Sequence, residues 1–190
     1  MTPKTSRSAN LKQKAQLMSA SEIERTLVRL AHEIIEKNDG AEGLGFVGIR
    51  QRGVPLAQRL AQMVSRIEKV EIPVGSLDVT PFRDDLPAAA QKSAPPKTDL
   101  EFSITAKTVV LVDDVLYTGR TARAAMDALF RHGRPTRVQL CVFVDRGHRE
   151  LPIEATFVGR KVQTTADEFI QVQLGEVDKT DKVLLVENPA

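Results

Sequence analysis

Two adjacent carboxylates and a short hydroxyl-rich turn are the residues of this 190-residue chain with the clearest chemical potential. Asp113 and Asp114 follow the apolar run 108–112, and the turn 118–121 reads Thr-Gly-Arg-Thr. A turn that opens a helix offers unpaired backbone N–H groups and the positive end of the helix dipole to an anion. Hydroxyls add donors, glycine allows close backbone approach and arginine adds charge. The turn is therefore predicted to bind a phosphate group.

The acid pair needs a different role, because carboxylates repel phosphate. Asp113 and Asp114 would accept hydrogen bonds from sugar hydroxyls or help to hold a hydrated Mg²⁺, which prefers oxygen ligands. A sugar diol beside a single phosphate is the pattern of ribose 5-phosphate. The structural alternative is that the pair merely ends a strand and caps the following helix. The string 109–121 contains neither the dinucleotide-binding glycine pattern nor a P-loop.

A second strand-to-helix loop carries two cations. The short apolar run 44–49 is followed by Arg50, Gln51, Arg52 and Gly53, and a helical pattern opens at residue 55. Two arginines and a glycine suit an anionic ligand, although two arginines in a loop more often belong to a solvated surface. Only the predicted phosphate turn, 118–121, favours the interpretation of this loop as a second anion site.

The elements that must position these loops alternate between strand and helix patterns. Apolar residues at steps of three and four predict an amphipathic helix over 21–38, with Ser21 and Glu24 as a capping box. The strand 108–112, a helix from Thr121 and the strand 138–144 form a βαβ unit. Met126 and Phe130 are placed on the inward face of that helix. Further strand patterns lie around 70–80, 155–158, 169–174 and 183–186.

Composition narrows the class of protein. Hydrophobic residues make up 42% and charged residues 27% of the chain, and its net charge is +2, which is too small to indicate nucleic-acid binding by itself. Residues 1–14 are expected to be a loose basic tail, residues 15–190 a single domain, and residues 81–106 a lid. The polar N-terminus and the lack of long apolar runs predict a cytoplasmic protein without membrane contact. The single cysteine, Cys141, is predicted to be buried.

The string 109–121 resembles the 5-phosphoribosyl 1-pyrophosphate (PRPP) signature of the type I phosphoribosyltransferases. The strings 32–33, 47–49, 52–53, 83–86 and 144–152 are similar to those of bacterial pyrimidine-operon attenuators that are also uracil phosphoribosyltransferases. The resemblance runs from about residue 17 to the end, except for much of 87–100. It implies an α/β fold: a type I phosphoribosyltransferase with a central, mostly parallel sheet flanked by helices, a flexible lid loop and a small hood.

The resemblance also implies an activity, the formation of UMP and pyrophosphate from uracil and PRPP with Mg²⁺. It assigns the metal and the ribose hydroxyls to Asp113 and Asp114. The four catalytic residues would be these two acids with Arg52 and Arg83. The 5-phosphate would bind at Tyr117, Thr118, Gly119, Arg120 and Thr121, the pyrophosphate at Arg50, Gln51, Arg52 and Gly53, and the base at Val144, Asp145 and Arg146.

Regulation by transcription attenuation is the second implied activity, in which uridine nucleotides strengthen binding to a pyrimidine-operon leader mRNA. The matching cationic positions are Arg29, His32, Lys37, Arg149 and Arg160. Two positions depart from the family pattern: Val28 replaces a typical Thr, and Glu154 replaces an Arg found in several members. The resemblance further implies a homodimer or larger assembly. Three alternatives stay open: a nucleotide-sensing RNA-binding regulator with vestigial activity, a salvage enzyme without RNA regulation, and a purine-type phosphoribosyltransferase.

Overall fold

A five-stranded parallel sheet forms the centre of the protein, with a separate three-stranded antiparallel sheet at its side. The computed structural model describes residues 12–84 and 97–187. The elements run along the chain in the following order: β1 (Lys12–Met18), α1 (Ala20–Lys37), β2 (Leu44–Ile49), α2 (Gly53–Glu68), β3 (Val74–Leu77), a 3₁₀ turn (Thr80–Phe82), β4 (Thr108–Leu116), α3 (Arg120–Leu129), β5 (Arg137–Asp145), β6 (Phe157–Lys161), β7 (Glu168–Gln173), α4 (Gly175–Asp178) and β8 (Lys182–Glu187).

The central sheet has the strand order β3-β2-β4-β5-β6, and both of its faces are covered. The strands β2, β4 and β5 are rich in Val, Ile and Leu, as expected of parallel strands buried on two sides. Side chains alternate between the faces, so Val110 and Val112 pack with α1 and α2, whereas Val109 and Leu111 pack with α3. The predicted βαβ unit and the predicted fold class are confirmed.

The first helix begins at Ala20, one residue earlier than predicted, and its capping residue lies two residues earlier than predicted. Ser19 precedes α1, and its backbone N–H and hydroxyl both donate to Glu22 Oε2, at 2.8 and 2.7 Å. The capping box is therefore formed by Ser19 and Glu22. The predicted box of Ser21 and Glu24 is wrong, because Ser21 already lies inside the helix.

The antiparallel sheet has the order β1-β8-β7, and we call it, together with α4, the hood. Residues 12–14 were predicted to belong to the loose tail but lie in β1, where Lys12 pairs with Glu187 of β8. This part of the prediction is wrong because the polar residues of β1 carry no apolar periodicity that would reveal a strand. The rest of the predicted tail, residues 1–11, lies outside the described residues.

Both described ends of the predicted lid, 81–106, pack against the body of the protein. Pro81 and Phe82 belong to the 3₁₀ turn, Asp99 forms a bridge with Ser76 of β3, and Ile104 is buried. The central residues, 85–96, lie outside the described part.

On α3, Phe130 was predicted to face inward, but 55% of it is exposed because the helix ends at Leu129.

Two smaller expectations concern membranes and the cysteine. Across residues 12–84 and 97–187, no helix has the length and apolarity needed to cross a bilayer. Cys141 is buried in β5, as predicted, and burial raises the pKa of its thiol to about 12. A thiol with that pKa is protonated at neutral pH and therefore a weak nucleophile.

Candidate active site

Three loops meet at one edge of the central sheet. The strands β2, β4 and β5 are parallel neighbours, so the loops that follow them leave the sheet on the same side. We call them the pyrophosphate loop (50–53), the phosphate turn (117–121) and the base loop (145–149). The first two contain the residues predicted to bind pyrophosphate and the 5-phosphate, and the third contains Asp145 and Arg146 of the predicted base site. Ligands of open α/β sheets bind at the carboxyl ends of the strands. The fold therefore brings the three predicted subsites together.

The acid pair lies within β4 rather than after it. The two side chains leave the strand on opposite faces of the sheet, yet their carboxylates stay close enough to interact with each other. Asp113 lines a cavity of about 240 Å³ beside the start of α3 and is 8% exposed. Asp114 is on the other face, where the positive charge of Arg52 acts on it. The Asp114 N–H donates to Asp113 Oδ1 at 3.0 Å, which fixes the first carboxylate. The two acids therefore serve different parts of the site.

Burial controls the charge of both acids. It raises the pKa of Asp113 well above its ordinary value, and the neighbouring charge of Asp114 raises it further. Arg83, which lines the same cavity, acts in the opposite direction. Burial also raises the pKa of Asp114, against the lowering effect of Arg52. Nearby cationic groups or bound metal would thus favour the ionised pair.

The phosphate turn encloses the remainder of this cavity. Gly119 has a φ of 91°, a left-handed conformation that favours glycine, and α3 begins immediately after it. The Arg120 N–H donates to Thr118 Oγ1 at 3.3 Å. All five residues assigned to phosphate line the cavity, and so does a residue that the sequence analysis missed; the set is Tyr117, Thr118, Gly119, Arg120, Thr121 and Glu150.

The guanidinium of Arg120 is shared between two carboxylates. Its Nε donates to Glu150 at 2.7 Å, and its Nη1 donates to Asp84 at 2.8 Å. These bonds raise the pKa of Arg120, Glu150 contributing most. Glu150 lies inside the string 144–152 that carried the family resemblance, but nothing in the sequence linked it to Arg120.

The pyrophosphate loop begins with a cis peptide bond between Arg50 and Gln51. The Arg50 side chain donates to Ser76 Oγ of β3 at 3.2 Å. Arg52 turns the other way and makes two hydrogen bonds to Asp178 of the hood, at 3.0 and 2.7 Å. Its sequence neighbour Gly53 packs directly against β4, since a Cβ there would lie 2.4 Å from the Val112 carbonyl oxygen.

The predicted base region borders a larger cavity of about 750 Å³. Asp145 and Arg146 line it, together with His148 and the strand-loop segment 161–164. Val144 is fully buried and does not line the cavity, so the structure does not bring its side chain to the base. The sequence analysis did not assign the segment 161–164 to the base site, because the segment belongs to the end of another strand, β6, and to the loop that follows it.

Arg146 is a buried cation in the wall of this cavity, only 3% exposed. Its guanidinium carbon lies 4.0 Å from the centre of the Tyr117 ring and 5.6 Å from that of Phe169. Its Nε donates to Thr164 Oγ1 at 3.1 Å and its Nη2 to the Thr165 carbonyl at 3.2 Å. Burial lowers its pKa, but an arginine remains charged. Arg146 thus connects the base loop, the phosphate turn and the hood.

Four of the five residues assigned to RNA lie on α1 and β6. We call Arg25, Arg29 and Arg160 the arginine face, because they border one shallow depression of about 300 Å³. Arg29 donates to the carbonyls of Val158 and Gly159. His32 and Lys37 are exposed farther along α1. Arg25 was missed by the sequence analysis, although its four-residue spacing from Arg29 places both on one side of the helix.

Arg149, the fifth residue assigned to RNA, lies in the base loop and not on α1 or β6. Its guanidinium donates to the Asp145 carboxylate at 2.6 Å, the Tyr117 carbonyl at 2.8 Å and the Ile153 carbonyl at 3.0 Å. Asp145 belongs to the base loop and Tyr117 to the phosphate turn, and Ile153 lies four residues after Arg149. Arg149 therefore does not join the arginine face, because its tertiary contacts hold it at the edge of the sheet.

A family model described as "Phosphoribosyl transferase domain" matches residues 14–176. This match spans most of the chain, so the fold and the site define a phosphoribosyltransferase. The chain is 55% identical over 174 residues to the bifunctional protein PyrR of Thermus aquaticus, covering 92% of this chain and 96% of that protein. It is 54% identical over 175 residues to the bifunctional protein PyrR of Chloroflexus aurantiacus, with the same two coverages. The chain belongs to the PyrR family, as its strings of matching residues predicted.

Solved structures with a similar fold include a hypoxanthine-guanine phosphoribosyltransferase from Bacillus anthracis. Its TM-score is 0.67 at 20% identity, and the match covers 93% of this chain and 99% of that one. A hypoxanthine phosphoribosyl transferase from Trypanosoma cruzi has a TM-score of 0.72 at 16% identity, covering 96% and 95% of the two chains. At these identities the likeness concerns the fold alone, and it agrees with the predicted phosphoribosyltransferase fold.

Proposed function

We propose that this chain is a uracil phosphoribosyltransferase that forms UMP and pyrophosphate from uracil and PRPP, and that it also regulates a pyrimidine operon by binding its leader mRNA in the cytoplasm. The observation that carries the enzymatic part is the meeting of three loops at one sheet edge. One loop offers the cavity of about 240 Å³ beside Asp113, one offers Arg52 beside Asp114, and one borders the larger cavity. Membership of the PyrR family supports uracil as the base.

The reaction is a substitution at C1 of the ribose. The bond from uracil N1 to C1 forms, the bond from C1 to the pyrophosphate oxygen breaks, and the N1 proton leaves to solvent. Asp113 and Asp114 would accept hydrogen bonds from the ribose hydroxyls. The turn 117–121 would hold the 5-phosphate, with the backbone N–H groups at the start of α3 as donors. Catalysis would depend mainly on alignment and on charge stabilisation.

The leaving pyrophosphate accumulates negative charge as the bond breaks. Arg52, whose charge acts on Asp114, and Arg83, which lines the phosphate cavity, would stabilise that charge. The cationic charge of Arg52 also acts on Asp114, so the arrival of pyrophosphate and the ionisation of this acid are coupled electrostatically. Arg52 is therefore the residue whose loss should affect pyrophosphate release most directly.

The residues present fit a Mg²⁺ ion that arrives with PRPP. Carboxylate oxygens are suitable ligands, and Asp113 and Asp114 are the acids at the ribose site. In the described ranges, no cluster of three or more His, Cys, Asp or Glu residues could hold a metal ion by itself. Phosphate oxygens and water would then complete the coordination shell, as is common for Mg²⁺. The ion would neutralise charge on the pyrophosphate.

Uracil would bind in the larger cavity, beside Asp145 and Arg146. Arg146 and Lys161 line this cavity and give part of its wall a positive charge. Positive charge favours a base whose carbonyl oxygens carry partial negative charge. Cytosine offers an amino group where uracil has an oxygen, and the positive wall therefore favours uracil.

Formation of UMP from uracil and PRPP with Mg²⁺ tests this proposal, with hypoxanthine and guanine as competing bases. Product from uracil alone supports it, and product from a purine alone contradicts it. In the variant Asp114→Asn, turnover should fall by about 100-fold while the melting temperature does not fall, because the ribose contact is lost without a change in volume. Unchanged turnover would contradict the ribose assignment.

The arginine face supports the regulatory part of the proposal. Arg25, Arg29 and Arg160 present three cations around one depression, with His32 and Lys37 farther along α1. Phosphate contacts of this kind give affinity that falls with salt. A gel-shift titration of a pyrimidine-operon leader RNA, with and without UMP, tests it. Tighter binding with UMP supports regulation, activity without binding leaves a salvage enzyme, and binding without activity makes the PRPP site a sensor.

A further inference from the structure

The cation of the pyrophosphate loop is held by a carboxylate from the other sheet. Arg52 Nε donates to Asp178 Oδ2 at 3.0 Å, and Arg52 Nη2 donates to Asp178 Oδ1 at 2.7 Å. The two side chains are 28% and 18% exposed, so solvent screens the pair only partly. A bidentate geometry of this kind fixes the plane of the guanidinium as well as its position.

Asp178 is itself held in place by the backbone of the hood. Its Oδ2 accepts a hydrogen bond from the Leu174 N–H at 3.0 Å, and its own N–H donates to the Leu174 carbonyl at 2.6 Å. The hydrogen bonds from Arg52 lower the pKa of Asp178, so its carboxylate is ionised at neutral pH. The carboxylate is a fixed anchor rather than a mobile surface group.

The pair leaves part of the guanidinium for other partners. Two N–H groups of Arg52 point to Asp178, and an arginine has further donors in the same plane. The charge of the same guanidinium acts on Asp114, the ribose-site acid on β4. Arg52 is thus held between the hood and the predicted site of the reaction.

A second ion-pair cluster joins the hood to α2 independently. Arg59, seven residues after Arg52, donates to Glu176 at 2.8 and 2.6 Å and to Asp181 at 2.7 and 2.9 Å. Asp181 also accepts the Gly175 N–H at 2.6 Å. The Arg59 cluster would keep the hood docked on α2 if the contact between Arg52 and Asp178 were lost. Holding Arg52 is therefore a separate role from holding the hood.

We propose that Asp178 is a positioning residue that orients Arg52 toward the pyrophosphate group of PRPP. This inference rests on the proposed function, because it takes the ligand of Arg52 from there. An unrestrained arginine loses rotamer entropy when it binds a ligand, and a pre-oriented one has already lost it. Asp178 acts through Arg52 and does not itself contact the substrate.

The variant Asp178→Asn tests this role, because it removes the charge and one acceptor while keeping the volume. The expected result is an increase of about tenfold in the KM and Kd for PRPP, since ordering one long side chain costs up to about a factor of ten. The KM for uracil and the melting temperature should change much less. PRPP binding is measured by calorimetry with Mg²⁺, and turnover by UMP formation.

Asp181→Asn is the matched control. It removes the same charge three residues farther along the hood, between α4 and β8. Asp181 is likewise an arginine partner that accepts a backbone N–H, but its arginine is Arg59. This variant should keep the wild-type Kd for PRPP. Equal effects of the two substitutions, or tighter PRPP binding by Asp178→Asn, would overturn the positioning role. A wild-type protein that binds PRPP without forming UMP would contradict the proposed activity, while the binding comparison would still decide the role of Asp178.

Discussion

Gly53→Ala would separate the pyrophosphate loop from the end of β4 by a calculable distance. The backbone of Gly53 is not in the left-handed region, so alanine introduces no conformational strain. Its Cβ, however, would lie 2.4 Å from the Val112 carbonyl oxygen, whereas ordinary contacts begin at 3.4 Å. Because the nearest atom belongs to the backbone, relief of the clash requires α2 and β4 to move apart by about 1 Å.

This displacement should lower the reaction rate, because Arg52 immediately precedes Gly53 and Asp113 immediately follows Val112. A misplacement of about 1 Å lowers rates by about 100-fold, which corresponds to about 2.7 kcal/mol in the activation free energy. The free energy of unfolding should fall by about 1–3 kcal/mol from overpacking. Steady-state formation of UMP gives kcat/KM for PRPP, and urea unfolding gives the stability.

Gly159→Ala provides the matched control for this experiment. A Cβ at Gly159 would lie 2.4 Å from the Phe143 carbonyl oxygen and 3.0 Å from Thr26 Cγ2. The backbone clash is therefore equally close, but it falls between β5 and β6. This variant should lose similar stability and keep kcat/KM for PRPP within about threefold. If the two variants show equal kcat/KM at equal stability, the close packing of the pyrophosphate loop on β4 does not matter for the reaction.

Three further perturbations address the phosphate turn, the acid pair and the RNA surface. Thr118→Val removes a hydroxyl from the phosphate cavity, so the KM for PRPP should rise by about tenfold; a lower melting temperature with unchanged kinetics would make the turn structural. Asp113→Asn should abolish UMP formation and yet stabilise the fold. The raised pKa of Asp113 means that the folded state binds its proton more tightly than the unfolded state, so stability is full below about pH 4 and is lost as pH rises toward the raised pKa. The gain from Asp113→Asn in urea unfolding should therefore increase with pH above about 4, and a constant gain would contradict the burial argument. Glu154→Arg replaces an exposed anion by a cation and should tighten RNA binding in a low-salt gel shift; no change would exclude this residue from the RNA surface.

The resemblance and the strand patterns supplied most of the catalytic assignments. Asp113, Asp114 and the turn 117–121 could be recognised because their types and spacing are contiguous in sequence. The order of strands and helices followed from buried apolar runs and helical periodicity. The exception was β1, whose polar residues are held by pairing with β8, a contact between chain segments far apart in sequence.

The same limit explains the residues whose tertiary contacts could not be predicted from the sequence. Arg149 has the type and position expected of an RNA contact, but Asp145 and the Tyr117 carbonyl hold it at the edge of the sheet. Asp178 carries no sequence signal, since its role depends on an ion pair with a residue 126 positions away. Long-range polar contacts of this kind have no period and no fixed spacing.

The sequence by itself determined the class of chemistry, because the groups that recognise phosphate and ribose lie within one strand-turn-helix segment, where local geometry follows from local residues. Only the tertiary structure decided how the acid pair is divided, with Asp113 facing the phosphate cavity and Asp114 facing Arg52. The alternation of side chains along β4 puts the two acids on opposite faces, and the packing of α2 and α3 on those faces decides what each one meets.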